Sequence, residues 1–526
     1  MSQKRAKQKR RNSRLKDHQR TGKVLKPPMR TLPNMQLVPW LRDTFPDMLW
    51  ICSLITKYGD KPGMFTASEV LDRITEILDE SESAPEDLSV LTGQLSSFDL
   101  VPDHVRTDVI AALKADGLYE RAFPWELVRG LQKYEEVPGQ WILDGWSGNA
   151  RVVSADVPEV FLRSVIESSR HGQTSTATKA KAMILRAYLQ ADKLMLPPSI
   201  GAEWGDILPR YPDGITEEER QRIEPSIRAS AMTMLNLSSE PGEAEAPGLL
   251  WAKSFWRQNW KLYECEAEPI EDTTDGDATT EHSSQIKSAR DIWQQRLDDL
   301  TERFVAKANT SDPDLYIPDR HEVLTGLVYR QVRALGIMVQ FPGLWTMEHG
   351  SSTLRGLLES RIVVKWLILK DDAELFGRFK DYGRGRLKLL KLHLEEYRDG
   401  MDDPPQELDG QIEYLDALVN NDLLEEFQDI SIEGNFAGVD TRRMADQVGL
   451  LNEYRLVFAP ASANVHGEWT AIDQYVLTQC RNPLHRWHRK VNDDPMMRLG
   501  PAVVEMALDM LESLVDDYEE GIDVRP

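Results

Sequence analysis

The sequence predicts an all-α protein, with a helical bundle in the C-terminal half and a second, mostly helical N-terminal region. Apolar residues recur at intervals of three and four through most of the 526-residue chain, which is the pattern of helices with one buried face. Stretches that alternate apolar and polar residues, as strands do, are short and few. No internal repeat of about 30 to 50 residues is visible, so we expect compact bundles and not a solenoid.

The first segment of the chain, residues 1–30, differs in charge from the rest. It holds twelve Lys or Arg and one acid, Asp17, which makes its net charge +11, whereas the remainder carries -34. Such a run is typical of a disordered tail. Because the acidic body repels polyanions, we expect any contact with RNA or the ribosome to use this tail or a local basic patch. The alternative is an arm that only increases solubility.

An acidic stretch, residues 264–284, separates the two predicted helical regions. Between Glu264 and Glu281 it has eight acids and no Lys or Arg, so it cannot bury enough apolar surface to order itself, and we predict a linker. The preceding residues, 31–263, are predicted to form the N-terminal helical region. Residues 285–526 hold five long amphipathic stretches, from "QIKSARDIWQQRLDDLTERFVAKA" to "VVEMALDMLESLVDDYEE", and are predicted to form the C-terminal bundle.

Cysteine usage and hydropathy bear on the compartment. Cys52, Cys265 and Cys480 lie far apart and form no CxxC pair, which favours a reducing cytoplasm over a disulfide framework. The basic start of the chain is followed by two prolines and not by the apolar core of a secretory signal. The most apolar early stretch, "LVPWLRDTFPDMLWICSLI", is interrupted by charges and proline, so we predict a cytoplasmic protein without a membrane span. The oligomeric state stays open.

Two helical stretches carry polar residues on faces that are otherwise apolar. Arg355 and Glu359 are four apart in one stretch, and Arg455, Ser462 and His466 follow at intervals of seven and four in another. Both spacings return to one helical face, and buried charges need partners. We therefore predict that the five residues meet around one site on facing helices. That site is either a polar network that sets helix register or a ligand or catalytic pocket.

Three stretches from about residue 320 onward resemble a bacterial family known only as a domain of unknown function, number 5677. They are "STLRGLLESRIVVKWL", "FAGVDTRRMADQVGLLNEYRLVFAPASANVHGEW" and "NPLHRWHRK". The resemblance covers about 200 residues of the C-terminal half. It implies an all-helical bundle in a bacterial cytoplasm, and it implies no reaction.

A pair of residues within "CRNPLHRWHRK" offers a catalytic hypothesis. Arg481 is followed by Asn482, then by five further residues and His488. This spacing resembles the Arg-x4-6-His pattern of HEPN-superfamily ribonucleases, which are also helical bundles. By that resemblance, His488 would act as general acid or base toward a 2′-hydroxyl, and Arg481 would steady phosphate charge. Such cleavage needs no metal.

The same region also contains possible metal ligands. His466, Cys480, His485 and His488 lie within 23 residues, but only His485 and His488 have a spacing familiar from zinc sites. We favour the interpretation in which Leu484 and Trp487 pack on the bundle, and we predict no metal and no cofactor. Nucleotide-binding glycine loops, a Gly-x-Ser-x-Gly elbow and a His-Glu-x-x-His motif do not occur in the sequence.

Two functional classes remain. The leading hypothesis is a stress or phage-defence protein with metal-independent ribonuclease activity, because a helical bundle, the pair Arg481 and His488, and a basic tail coincide. The competing hypothesis is a non-catalytic interaction or scaffold protein in which the five polar residues are structural. Exposure distinguishes them, since a nuclease needs its Arg and His in one open cleft.

Overall fold

The protein is described here by a computed structural model. It describes residues 18–21, 24–26, 39–80, 91–146, 156–190, 198–230, 246–266, 276–311, 313, 318–421, 425, 428–431, 434–492 and 500–523. These residues are predominantly helical, with four strands of three residues each, so the predicted all-α class is confirmed. Among the described helices, none combines the length and the apolar character that a bilayer crossing requires.

The chain forms two compact units, and the first is discontinuous in sequence. Unit 1 comprises Met1–Glu268 and Gln479–His488, and unit 2 comprises Pro269–Thr478 and Arg489–Pro526. The division after Glu268 falls inside the predicted linker, residues 264–284. The return of Gln479–His488 to unit 1 differs from the prediction, which placed all of 285–526 in one bundle. Local sequence patterns contain no information about such a return, because it depends on contacts between distant residues.

Two further predictions about order need correction. The predicted linker is helical from Gly276 onward, because the first long helix of unit 2 begins there. The predicted disordered tail contains a short antiparallel hairpin, in which β1 (Gln19–Thr21) pairs with β2 (Val24–Lys26). The first seventeen residues of that tail lie outside the described residues.

Unit 1 is built from short helices. Its α-helices are α1 Leu49–Tyr58, α2 Asp60–Asp79, α3 Asp103–Ala115, α4 Tyr119–Ala122, α5 Trp125–Leu131, α6 Gln140–Asp144, α7 Val157–Ser168, α8 Ser175–Gln190, α9 Pro198–Ile207, α10 Glu217–Ser230 and α11 Pro247–Leu262. A π-helix (Trp40–Thr44) and 3-10 helices (Phe45–Met48, Leu95–Leu100, Leu208–Arg210) connect them. The main core gathers apolar residues from α1 to α8 and α11, together with Leu484 and Trp487 of the returning segment. That segment therefore belongs to the core of unit 1.

Unit 2 is built mainly from long helices. Its α-helices are α12 Gly276–Thr310, α13 Asp319–Gln340, α14 Met347–Lys370, α15 Ala373–Asp399, α16 Gln406–Val419, α17 Thr441–Gln447, α18 Leu451–Glu453, α19 Ala459–Val465, α20 Trp469–Ala471 and α21 Pro501–Ile522. The described residues of the unit also form a 3-10 helix (Pro342–Leu344) and two π-helices (Tyr454–Phe458, Ile472–Val476). α14 and α21 form the centre of the bundle, with α12 and α13 against α21. The core contains apolar residues of all four helices, including Trp293, Leu335, Leu358 and Leu511.

Polar side chains cap the starts of α14 and α15 in unit 2. Thr346 accepts a hydrogen bond from the backbone N–H of His349 at the start of α14, and Asp372 does the same for Glu374 at the start of α15. These caps satisfy N–H groups that the first turn of a helix leaves unpaired. The starts of these two helices therefore follow from local sequence.

A small two-stranded sheet flanks the returning segment. β3 (Leu477–Gln479) pairs with β4 (Arg489–Val491), and Asn492 donates its backbone N–H to Val476. Between the strands lies a single 3-10 turn, Pro483–His485. The sheet ends where the returning segment begins, so residues 480–488 form an extended loop with its own contacts in unit 1.

Candidate functional site

Four potential metal ligands lie together in unit 1. They are the thiols of Cys265 and Cys480 and the imidazoles of His485 and His488. One donor atom from each side chain lies within 4.8 Å of the other three. This donor set is typical of zinc sites.

Backbone hydrogen bonds bring the two chain segments of this cluster together. Cys265 follows the end of α11, and its neighbour Glu266 accepts the backbone N–H of Arg481 at 3.0 Å. The side-chain amide of Asn482 donates to the carbonyl of Glu264 at 2.9 Å. The cysteine at the start of the loop is tied to its end, since the N–H of Cys480 donates to the carbonyl of His488 at 2.9 Å.

The loop between Cys480 and His488 is shaped by both its core anchors and its backbone. Leu484 is fully buried and Trp487 is nearly so, and both pack in the core of unit 1, as the sequence predicted. Arg486 and Trp487 have left-handed backbone angles, with φ of 55° and 49°, which are uncommon for residues other than glycine. This turn allows Trp487 to enter the core while His488 faces the cysteines.

The hydrogen bonds of the two imidazoles determine which nitrogen of each ring carries the proton. Nε2 of His485 lies 3.2 Å from the carbonyl oxygen of Asn259, and Nδ1 of His488 lies 3.3 Å from the carbonyl oxygen of His485. A carbonyl can only accept, so these two nitrogens carry the protons in the neutral rings. The other nitrogens, Nδ1 of His485 and Nε2 of His488, therefore present lone pairs to the thiols.

Burial is uneven across the cluster. Cys480 and His485 are buried, His488 is half-buried and Cys265 is exposed. Burial lowers the pKa of His485 below its ordinary value, although the hydrogen bond to the Asn259 carbonyl raises it. The indole of Trp260 covers both imidazoles, with ring centroids 5.1 Å from His485 and 4.8 Å from His488.

This cluster differs from the metal set considered in the sequence. His466 is exposed and belongs to unit 2, whereas Cys480, His485 and His488 belong to unit 1. The fourth member is Cys265, which is separated from His485 by 220 positions. Sequence spacing could not find it, because Cys265 lies in the predicted linker and Cys480 in the predicted C-terminal bundle.

The predicted catalytic pair lies within this returning segment. Arg481 is exposed and His488 is half-buried. Nε2 of His488 lies 3.6 Å from the sulfur of Cys265, and its other nitrogen faces the His485 carbonyl. The catalytic role of the pair stays a prediction, and the surroundings of His488 are those of a ligand more than of a general base.

The five predicted polar-site residues lie on three elements of unit 2 that pack together. Arg355 and Glu359 are on α14, which packs against the π-helix Tyr454–Phe458 and against α19. Both are half-buried. Ser462 on α19 is also half-buried, whereas Arg455 and His466 are exposed.

The π-helix explains why Arg455 departs from the face that its spacing predicts. The backbone N–H of Ala459 reaches back five residues to the carbonyl of Tyr454, so this turn contains one residue more than an α-helical turn. Each extra residue rotates the following positions by about 100°. The seven-residue interval from Arg455 to Ser462 therefore does not return to one face.

The contacts between these helices involve Arg355 together with residues outside the predicted set. The amide of Asn464 on α19 donates to the hydroxyl of Ser351 on α14 at 2.7 Å. The guanidinium of Arg355 lies over the ring of Phe458, 5.2 Å from its centroid. Its Nε is buried without a hydrogen-bond partner among the described residues. The contacts of Ser351, Phe458 and Asn464 were missed by sequence reasoning, because these residues are ordinary helix-face positions.

Comparisons with known proteins bear on one region of the chain. No curated protein and no solved structure matches the chain. The likeness to HEPN-superfamily bundles stays a prediction. Residues 321–482, which begin in α13 and end within the returning segment, match the family of unknown function (DUF5677), and the resemblance seen in the sequence is thereby confirmed for this region.

Proposed function

We propose that this is a bacterial cytoplasmic protein that works by binding and not by catalysis, with RNA as the partner of its basic N-terminal segment. The observation that carries the non-catalytic part is the environment of His488. Residues 1–30, with a net charge of +11, supply the RNA part of the proposal.

A general acid or base must reach the proton that it transfers. His488 has Nε2 at 3.6 Å from the sulfur of Cys265 and Nδ1 at 3.3 Å from a carbonyl oxygen, and the ring of Trp260 makes a T-shaped contact with its imidazole. Both nitrogens therefore face protein atoms. This arrangement supports a structural role for the imidazole in preference to an attack on a 2′-hydroxyl.

The charge distribution supports an electrostatic contact with RNA that is confined to one segment. The body of the chain carries -34 and repels a polyanion, whereas the first thirty residues carry +11. Binding by such a segment neutralises phosphates and releases counterions, so affinity falls steeply with salt. The helical units would then recruit or present other components beside the bound RNA.

The second candidate is the metal-independent ribonuclease of stress or phage defence. The observation that favours it is that Arg481 is exposed and His488 is only half-buried, so one side of this pair is open to solvent. In that case Arg481 would hold a phosphate and His488 would move the proton.

RNA binding is tested by fluorescence anisotropy with a labelled single-stranded RNA over a series of salt concentrations. We compare the wild type with a full-length variant in which the twelve Lys and Arg of residues 1–30 are replaced by Gln. A plot of the logarithm of the wild-type binding constant against the logarithm of the salt concentration should have a slope of about -0.7 for each phosphate contacted. The variant should lose that binding; equal binding by both proteins would contradict the proposal.

Cleavage is tested in parallel with purified protein, labelled RNA and a chelator. The variants are His488→Ala, Cys265→Ser from the same cluster, and His466→Ala as an exposed histidine outside it. We expect intact RNA with the wild type and all three variants. RNA cleavage that is lost in His488→Ala alone, and kept in Cys265→Ser and His466→Ala, would establish the ribonuclease instead.

A further inference from the structure

We propose that Cys265, Cys480, His485 and His488 form a structural Zn²⁺ site that fastens the returning segment, residues 480–488, to the end of α11 in unit 1. This inference does not depend on the proposed function, because it concerns metal binding and not RNA. It rests on three features of the cluster, which are the distances, the ring orientations and the donor types.

Three of the distances between the donor atoms are close to those of a tetrahedral site, and all four donors lie within 4.8 Å of one another. With Zn–S of about 2.3 Å and Zn–N of about 2.0 to 2.1 Å, a tetrahedral ion separates its sulfur and nitrogen ligands by about 3.6 Å. The sulfur of Cys265 lies 3.5 Å from Nδ1 of His485 and 3.6 Å from Nε2 of His488. The sulfur of Cys480 lies 3.8 Å from Nδ1 of His485. An ion placed among the four donors would therefore need little movement of the side chains.

The second nitrogen of each histidine has the partner that zinc ligands usually have. Metal-binding imidazoles commonly donate their other N–H to a carboxylate or backbone carbonyl, which fixes the tautomer and the ring orientation. His485 donates to Asn259, and His488 donates to the carbonyl of His485. Both rings therefore turn unprotonated nitrogens toward the two sulfurs. A chance meeting of polar residues would not orient both rings in this way.

The donor set selects the ion and its role. Two thiolates and two neutral imidazoles suit Zn²⁺, and four protein ligands close its coordination sphere, as in structural sites. Binding converts each thiol to a thiolate and releases its proton to solvent, so the net charge of the four side chains and the ion is zero. With Cys265 exposed and His488 half-buried, the ion could enter from solvent.

The site would attach a loop that unit 1 needs for its core. Leu484 lies between Cys480 and His485, and it is fully buried in that core beside Trp487. Two bonds from the loop ends and one from its 3-10 turn would fix the loop to Cys265. Removal of the ion should therefore loosen this loop and lower the thermal midpoint of the protein.

The metal is measured directly on full-length protein purified after growth with zinc. The wild type should carry one zinc per chain by elemental analysis, and Co²⁺ in its place should give the strong visible absorption and thiolate charge-transfer bands of tetrahedral S₂N₂ coordination. Wild-type protein that holds no zinc and gives no such spectrum would overturn the proposal.

Variants separate metal binding from folding. Cys265→Ser changes an exposed side chain, so it should keep the helical circular dichroism of the wild type while its zinc content falls to near zero. The matched controls are His466→Ala, an exposed histidine outside the cluster, and Cys52→Ala, the one thiol elsewhere in the chain; both should keep the zinc. A chelator should lower the thermal midpoint of the wild type and leave that of Cys265→Ser unchanged. Full zinc content in Cys265→Ser would also overturn the assignment.

Discussion

Both units of this protein join helices by ion pairs, such as Lys57 with Glu126 in unit 1 and Arg303 with Glu519 in unit 2, but unit 1 also has buried indoles that donate to carbonyls distant in sequence. In unit 1, buried indoles donate to backbone carbonyls far away in sequence: Trp40 to Ser169 at 2.7 Å, and Trp50 to Ala122 at 2.9 Å. A third indole, on α11, donates to Pro46 at 2.8 Å. Each of these bonds joins a large apolar surface to one particular backbone group, so the core of unit 1 depends on individual directional contacts.

In unit 2, charged residues at helical spacing join α12 to α21. Arg296 pairs with Asp509 at 2.8 Å, and Arg303, seven residues later, pairs with Glu519 at 2.9 Å and with Asp516. A single better-shielded carboxylate, Asp517, accepts from two basic residues of α14 at 2.6 Å each. Most of these pairs are partly exposed, so each contributes little alone.

This difference bears on how strongly the stability of each unit depends on single residues. We expect the stability of unit 1 to depend more on a few large buried side chains, and that of unit 2 to be distributed along the faces of its longer helices. Measurements on three sites test this difference between the units.

The largest effect is expected from Trp50→Ala in unit 1. The side chain is fully buried, stacks on Phe123 with centroids 5.6 Å apart, and donates to Ala122. Its removal should lower the free energy of unfolding by about 4 kcal/mol, measured by urea denaturation followed by circular dichroism. The control is Trp469→Ala in unit 2, where the indole is 62% exposed and should cost less than about 1 kcal/mol. Equal losses of unfolding free energy in Trp50→Ala and Trp469→Ala would contradict this expectation.

A pH-dependent effect of intermediate size is expected from Asp47 in unit 1. Burial raises its pKa to about 6, although its hydrogen bonds from Ser96 lower it. Since the folded state holds this proton more tightly than the unfolded state, stability is highest below the unfolded pKa, near 4. It should fall by up to about 3 kcal/mol as pH rises through the folded pKa.

The matched variants isolate this group from the other carboxylates. The difference in unfolding free energy between Asp47→Asn and the wild type, followed across that pH window, should change in favour of the variant as pH rises. Asp103→Asn, whose carboxylate is 89% exposed, should show a flat difference. A flat difference for Asp47→Asn as well would mean that its carboxylate is solvated in the folded protein.

The smallest effect is expected from Arg303→Gln in unit 2. Its side chain is 39% exposed and pairs with Asp516 and Glu519 on α21. Loss of these pairs should cost about 0.5 kcal/mol at low ionic strength, and the cost should nearly vanish in about 1 M salt, where the screening length is about 3 Å. The control, Arg333→Gln, changes an exposed arginine on α13. A loss of several kcal/mol that persists in high salt would show that unit 2 also depends on single contacts.

Sequence reasoning reached furthest where structure follows from neighbouring residues. The stretches from Ser352 to Asp371 and from Ala373 to Tyr397 were predicted as helices, and they correspond to α14 and α15. Periodic apolar residues and capping side chains at the helix starts are local signals, and local signals can be read from one sequence.

The candidate sites depended on information of another kind. Cys480, His485 and His488 were visible as possible ligands, but Cys265 joins them only through a contact across 220 positions. His466, which is nearer in sequence, belongs to the other unit. The face of Arg455 was altered by a π-helical turn, whose hydrogen-bond shift is not evident from residue spacing. Pairing between distant residues and changes of helical phase are both set by tertiary packing.

Unit 1 is built from two separate segments of the chain, and this affects its folding during synthesis. When residue 268 has been synthesised, the growing chain contains nearly all of unit 1, but Leu484 and Trp487 are still missing from the core of this unit. These side chains appear only after residues 269–478 have been synthesised. During that interval the growing chain carries an unfilled apolar surface that a chaperone could recognise. A fragment that ends at Glu268 would keep this surface exposed permanently, so a stable version of unit 1 would have to include residues 479–488, joined by a short linker.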